Sequence, residues 1–178
     1  MNEKMMVTPL GHMLLTQKKS QLEKIIAETQ EGLVDLNQND PGDGFQDSFL
    51  AETQTNIQIM TNRLWEINCL LEDAVLTSEP QHEDVVSLGH RVLLSLTYPS
   101  GESETLPVVL AGSPELPLIE DHLQDGEAPI SPQSALGKAI FGKKAGTTFQ
   151  YSIEAGVVQG KLLKIEVWQP AFLTMVVA

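Results

Sequence analysis

Carboxylates crowd one short stretch of this chain. Asp40, Asp43 and Asp47 fall in the run Asn37-Gln38-Asn39-Asp40-Pro41-Gly42-Asp43-Gly44-Phe45-Gln46-Asp47. Proline, two glycines and short polar side chains favour turn geometry there, and the plain reading is a solvated acidic turn. A calcium loop fails by position: with Asp35 as first ligand, Asp40 stands where the loop needs glycine and Gln46 where it needs a bidentate glutamate. No metal-ligand spacing joins His12, His82, His90 and His122. Cys69 is the single cysteine, which removes an intramolecular disulfide and a cysteine-rich zinc site and leaves a buried, inert thiol as its expected role. No phosphate-binding glycine loop is present.

A second stretch, residues 130–146, has a different character. Ser134 is placed to cap a short helix by accepting a backbone N–H, and Gly142 to end it in a left-handed conformation. Ala135, Leu136, Ala139 and Ile140 give that helix an apolar face.

The acidic run must be positioned by what flanks it. From Leu15 onward, apolar or neutral residues recur at Leu22, Ile26, Thr29, Leu33 and Leu36, and again at Ile57, Met60, Leu64, Ile67, Leu71 and Ala74. Both runs, the first counted from Leu22, have the alternating steps of three and four that a helix seam requires. Ile25 widens the first stripe. The other faces carry Gln, Glu, Lys, Thr and Asn, which suits two helices that bury only each other. The expected first helix, residues 13–38, is about 39 Å long at 1.5 Å per residue. The acidic run is then the tip of a helical hairpin. Packing inside an ordinary globular bundle is the competing reading.

Charge and proline in Ser78-Glu79-Pro80-Gln81-His82-Glu83-Asp84 interrupt the period, and beyond them the pattern becomes that of strands. Val92, Leu94, Leu96 and Tyr98 alternate with Leu93, Ser95 and Thr97, Pro99-Ser100-Gly101 turns the chain, and residues 105–110 return. Phe149, Tyr151 and Ile153 alternate again before a last strand at about 160–168. Strands wrapped on a short helix make an α+β domain. The expected organisation is a helical hairpin over 1–77, a linker over 78–84 and a globular domain over 85–178.

With 178 residues, 42% of them hydrophobic, the chain has material for one or two modest cores. A net charge of -13 and only two arginines, Arg63 and Arg91, argue against autonomous DNA or RNA binding and favour a basic protein partner. Lys18, Lys19 and Lys24 read as a solvated helix face. No run is apolar enough for a signal peptide or a membrane span, so the expected compartment is the cytoplasm.

The segment Ser134-Ala135-Leu136-Gly137-Lys138-Ala139-Ile140-Phe141-Gly142 resembles the Ser-Pro-Leu-Gly-Lys-Ala-Leu-Leu-Gly motif of the bacterial Gre transcript-cleavage factors, departing at Ala135. Thr8, Gly11 and Leu15 resemble that family's Thr-x-x-Gly-x-x-x-Leu opening. The resemblance implies an antiparallel coiled-coil hairpin followed by an FKBP-like domain of antiparallel strands and a short helix. It implies RNA polymerase as partner, the hairpin entering the secondary channel and the globular domain docking at its rim through the motif of Ser134, Leu136, Gly137, Lys138 and Gly142. Nascent RNA is met only inside that complex. The chain is then no enzyme by itself: the family's acidic tip helps the polymerase hold a catalytic Mg²⁺ that activates water for cleavage of backtracked RNA.

Here the family's second acidic tip position falls on Gln46, with Asp47 adjacent. Asp40, Asp43 and Asp47 serving a Mg²⁺ held mainly by polymerase is one expectation, and channel occupancy that regulates without cleavage is the other. A coiled-coil scaffold for another partner stays open. Prolyl isomerase activity is disfavoured, since Phe141, Phe149, Tyr151 and Trp168 read as core or strand residues. The apolar stretch 171–178 departs from the family pattern and has three open roles: covering the sheet, adding a strand, or forming a homodimer contact.

Overall fold

The computed structural model describes residues 5–39, 44–78, 80 and 83–170. Two compact units divide the chain, Met13–Asp73 and a discontinuous one made of Met1–His12 with Ala74–Ala178. This division differs from the expected hairpin over 1–77 and linker over 78–84. Its cause is a short parallel ladder, in which β1 (Met6–Val7) pairs with β2 (Val75–Leu76). Val75 N–H donates to Met5 O at 2.8 Å and Thr77 N–H to Val7 O at 2.9 Å. Two residues per strand are too few to show a period.

Helices α1 (Pro9–Asn39) and α2 (Gly44–Asp73) form the first unit apart from the opening turn of α1. The least exposed positions of α1 are Gly11, Leu14, Leu15 and Leu22, followed by half-buried ones that include Lys19, Ile26, Thr29 and Leu33, and those of α2 include Leu50, Thr53, Ile57, Met60, Leu64 and residues 67–71. From Leu15 to Leu33 and from Leu50 to Leu71 a stripe with steps of three and four runs through these positions, widened at Leu14 and at residues 68–70. Most of these residues are only half-buried, unlike the core of a bundle. Ile25 was expected to widen the stripe, but it is 46% exposed and lies off it.

In the second unit a five-stranded sheet has the order β5-β4-β3-β7-β6, with β3 (His90–Thr97), β4 (Ser103–Leu110), β5 (Ala128–Ile130), β6 (Thr148–Ile153) and β7 (Gly156–Val167). Between β4 and β5 lie α3 (Leu116–Ile119) and a 3-10 turn, and α4 (Ala135–Ile140) precedes β6. The sheet is mixed, which corrects the expectation of antiparallel strands alone: β4 and β5 run parallel, Val108 facing Ala128 and Leu110 facing Ile130. The connection through α3 carries the chain back to the same end of the sheet, and β5 is too short for its direction to be read from sequence.

Alternation decides the core. Val92, Leu94 and Leu96 are fully buried with Val108, Leu110, Val158 and Leu162, while Leu136 and Ala139 of α4 pack against them. Each such apolar side chain contributes about 1.5–3 kcal/mol of burial. A bulge in β7 shifts the register between Leu93 and Leu94, so the inward sequence Val158, Gly160, Leu162 resumes at Ile165. Gly160 faces Phe149 across the strands, and a Cβ there would stand 2.2 Å from the ring.

Candidate functional site

The expected tip residues Asp40 and Asp43 lie outside the described residues. Asp47 belongs to α2, whose helix begins at Gly44, so the bend is shorter than the expected 37–47. Short polar residues read as turn-formers are also favoured at helix starts, and an acidic residue in the first turn suits the helix dipole. Among the described residues no group of three His, Cys, Asp or Glu is arranged to hold a metal.

The 134–142 motif is described completely. Ser134 Oγ accepts from Gly137 N–H at 3.0 Å and donates to Ser131 O at 2.8 Å, closing the first turn of α4. Gly137 is buried at that turn, and a Cβ on it would lie 1.9 Å from Ser131 O. Leu136 packs on the sheet core, and Lys138 is exposed. Gly142, at φ 75°, ends the helix in the left-handed region as expected, its N–H donating to Val86 O at 2.9 Å. Ala135 is the first helical residue, a position that proline favours and alanine tolerates. Ser134, Leu136, Gly137 and Gly142 thus shape the domain, while Lys138 is exposed; so is Phe141, which the sequence suggested was a core or strand residue but which caps the end of α4 and is 41% exposed.

The opening motif has a partner that sequence reasoning missed. Thr8 Oγ1 accepts from Gly11 N–H at 2.9 Å, capping α1, and donates to Glu115 Oε2 at 2.7 Å. Glu115 is wholly buried on the loop after β4, and it also accepts from Thr8 N–H at 3.2 Å and from Gly112 N–H. Gly11 is required by contact, since a Cβ would meet Glu115 Oε2 at 1.4 Å; at Gly112 a Cβ would meet Met6 O at 1.9 Å. Burial pushes the Glu115 carboxyl above its ordinary range, and the Thr8 hydroxyl and the two backbone N–H groups pull against that shift. Nothing in Gly112-Ser113-Pro114-Glu115 signals burial: the clue was Thr8 with Gly11, which demanded something in the space a side chain would fill.

On β3, Arg91 donates to Glu127 at 2.5 Å and to Glu166 at 3.1 Å. Lys164 and then Arg91 hold the Glu166 carboxyl below its ordinary range. Lys24 stands 3.7 Å from Glu28 one turn on, an exposed pair on the solvated face expected of it, whereas Lys19, 4.0 Å from Glu23, is half-buried on the stripe and not on that face. No described helix is long and apolar enough to cross a membrane.

A comparison with family profiles returns no match. The transcription elongation factor GreA of Syntrophomonas wolfei is 31% identical over 126 residues, 70% of this chain and 73% of its own. GreA of Clostridium acetobutylicum is 28% identical over 158 residues, 88% of this chain and 87% of its own. Among solved structures, the GreA factor homolog 1 protein of Thermus thermophilus is 23% identical, with a TM-score of 0.41 over 92% of this chain and 99% of that one. On the identity and coverage of the Syntrophomonas relative, with the Thr8–Gly11 and Ser134–Gly142 segments both built into the fold, this chain belongs to the Gre family of transcription elongation factors.

Proposed function

We propose that the protein binds RNA polymerase as an elongation factor, α1 and α2 forming an antiparallel coiled-coil hairpin that enters the secondary channel while the FKBP-like sheet domain docks at the rim. Kinship to GreA supports the partner, and one structural observation carries the rest. Each long helix has a most protected stripe with steps of three and four and leaves most of its other positions exposed, polar residues together with Ile25, Val34, Phe49, Ile59 and Trp65, a pattern that suits two helices whose main burial is against one another.

At the bend, Asp40, Asp43 and Asp47 are the donors for a Mg²⁺ shared with the polymerase, and carboxylate oxygen is the chemistry that hard ion takes. When bound, the ion supplies a Lewis acid that lowers the pKa of an attacking water. The chain's own part is to bring negative charge to that place; the polymerase cleaves. A second reading is favoured by Gln46, an amide at the family's second acidic position: the hairpin occupies the channel and regulates without stimulating cleavage.

Purified protein added to core polymerase and then to stalled, backtracked complexes tests both. Capture by the polymerase with shortened transcripts supports cleavage stimulation. Capture with slowed nucleotide addition and no shortening beyond the factor-free control supports the regulator. Failure of capture removes both readings and leaves a scaffold for another partner.

A further inference from the structure

One part of the sheet domain reverses the charge of the chain. Residues 135–165, covering α4, β6 and most of β7, hold five of its 11 cationic side chains, Lys138, Lys143, Lys144, Lys161 and Lys164, against Glu154 alone of its 24 acids. Phe149, Val158 and Leu162 point into the core with Leu94 and Leu96, so Ser95, Thr97, Thr148, Gln150, Gln159 and Lys161 fall on the other face of the sheet. The register sets them in two rows across three strands, Ser95, Lys161 and Thr148 in one and Thr97, Gln159 and Gln150 in the other. With Lys143 they line an open hollow of about 620 Å³ to which no carboxylate contributes. Neither Lys143 nor Lys161 is ion-paired with a described residue, whereas Arg91 and Lys164, farther along β3 and β7, are taken up by Glu127 and Glu166. A wet outer face is ordinary for antiparallel strands, and hydroxyls and amides there need no explanation. A carboxylate-free hollow with two such lysines, in a chain of net charge -13, does.

We propose that this hollow is a docking surface for a carboxylate-rich segment of a protein partner. Charge complementarity sets the chemistry: ammonium groups meet the carboxylates, and hydroxyl and amide donors meet the remaining oxygens. The two rows lie two residues apart along each strand, about 7 Å, which is also the spacing of alternate side chains in an extended peptide. At physiological salt the Debye length is about 8 Å, so acids farther away than that are largely screened from the occupant.

Phosphate would satisfy the same lysines, but two features favour a protein. Glu102 and Glu154 lie at one end of these strands and Glu166 toward the other, so the cationic surface is short, and a nucleic acid strand, charged along its whole length, runs onto acids. Phe149 is buried and Tyr151 packs on the core, which leaves no aromatic platform on this face for a base. The hollow is separate from the core contacts of the 134–142 motif, whose Leu136 and Ala139 pack on the inner face of the sheet. The proposal does not rest on polymerase binding, nor on residues 171–178, which lie outside the described part of the chain.

A fluorescently labelled deca-glutamate peptide tests it by anisotropy against the full chain. The peptide is expected to bind, less tightly as salt is raised, and Lys143→Gln with Lys161→Gln is expected to weaken it about tenfold, the loss of two exposed ion pairs. Lys143→Arg with Lys161→Arg keeps both charges and should hold the affinity within about twofold. Lys18→Gln with Lys24→Gln makes the same change in net charge at exposed positions of α1 and should cost less than about twofold. Far-UV circular dichroism checks the fold of each variant; should the Lys143 and Lys161 glutamine pair not fold, the single glutamine variants decide, at about threefold each. Equal losses in the two glutamine pairs reduce the effect to net charge and overturn the proposal, as does a peptide that fails to bind at low salt. Tighter binding of an oligouridylate of equal charge, lost in the same lysine pair, makes the face a phosphate surface and also overturns it. So does self-association of the wild type that the Lys143 and Lys161 pair abolishes, which gives the hollow to a second copy.

Discussion

The two family motifs and the long helices stand in opposite physical situations. In the sheet domain, Gly11, Gly112 and Gly137 have no room for a Cβ, and Ser134 and Thr8 spend their hydroxyls on backbone N–H groups within their own helices' first turns. In the helical unit, most side chains off the stripe face water. A motif that is strict in the first region is strict because of packing. Strictness in the second, where packing asks for little, points outward to a partner. The comparison can be broken by substitutions whose cost falls on folding in one region and on activity in the other.

Gly137→Ala should have the largest effect on stability. Its Cβ meets a backbone carbonyl that belongs to the turn capping α4, and relieving the overlap requires moving that turn off the core; a loss of about 3 kcal/mol is expected in urea unfolding. Gly142→Ala meets nothing within 4 Å and has only its positive φ to contend with, so about 1 kcal/mol is expected. Equal losses at the two glycines would show that space around Gly137 is not what fixes the motif. Ser134→Ala removes the cap and should also lose about 1 kcal/mol, the usual value for such a cap.

Glu115 provides a pH-dependent version of the same comparison. Its folded pKa is raised by burial, so its contribution is fully present below the unfolded glutamate value of about 4.3 and is lost as pH rises through the folded value. Glu166, lowered by Lys164 and Arg91, has the opposite sign: its contribution is present above the unfolded value and is lost as pH falls through the folded one. Melting temperatures measured from pH 4 to 8 should show the wild type losing ground to Glu115→Gln as pH rises. For Glu166→Gln, the wild type should gain with rising pH, modestly, because Glu166 is partly exposed. Parallel curves for Glu115→Gln and wild type would mean that the neutral donors of Thr8 and Gly112 fully offset the burial of the charge.

The sequence made the periodic parts legible. Steps of three and four from Leu22 to Leu33 and from Ile57 to Leu71 and the alternation of Val92, Leu94 and Leu96 each repeat often enough to fix an element and its buried side. Ser134 and Gly142 were legible because a cap and a left-handed end each need particular residue types. What escaped has no period. The β1–β2 ladder is two residues long, β5 is three, and Glu115 is a buried carboxylate whose side-chain partner lies more than a hundred residues earlier at Thr8. The bulge in β7 likewise leaves only a change of phase, from Leu162 to Ile165, inside a run that is apolar on both sides of it.

The smallest expected effect on folding is at the bend. Asp43→Ala with Asp47→Ala removes charge without removing packing volume from the sheet core, and the change in unfolding free energy is expected to stay within about 0.5 kcal/mol, the ordinary range for surface substitutions. If the carboxylates serve a polymerase-held ion, the double variant keeps polymerase capture and loses transcript shortening. If the chain regulates by occupying the channel, both capture and slowed nucleotide addition survive. The complementary change, Gln46→Glu, places a carboxylate where the amide stands, and under the cleavage reading it should increase shortening over the wild type. A stability loss at Asp43 and Asp47 as large as that at Ser134 would mean that the bend, too, is held by its own hydrogen bonds, and the contrast between an inward-facing and an outward-facing motif would fail.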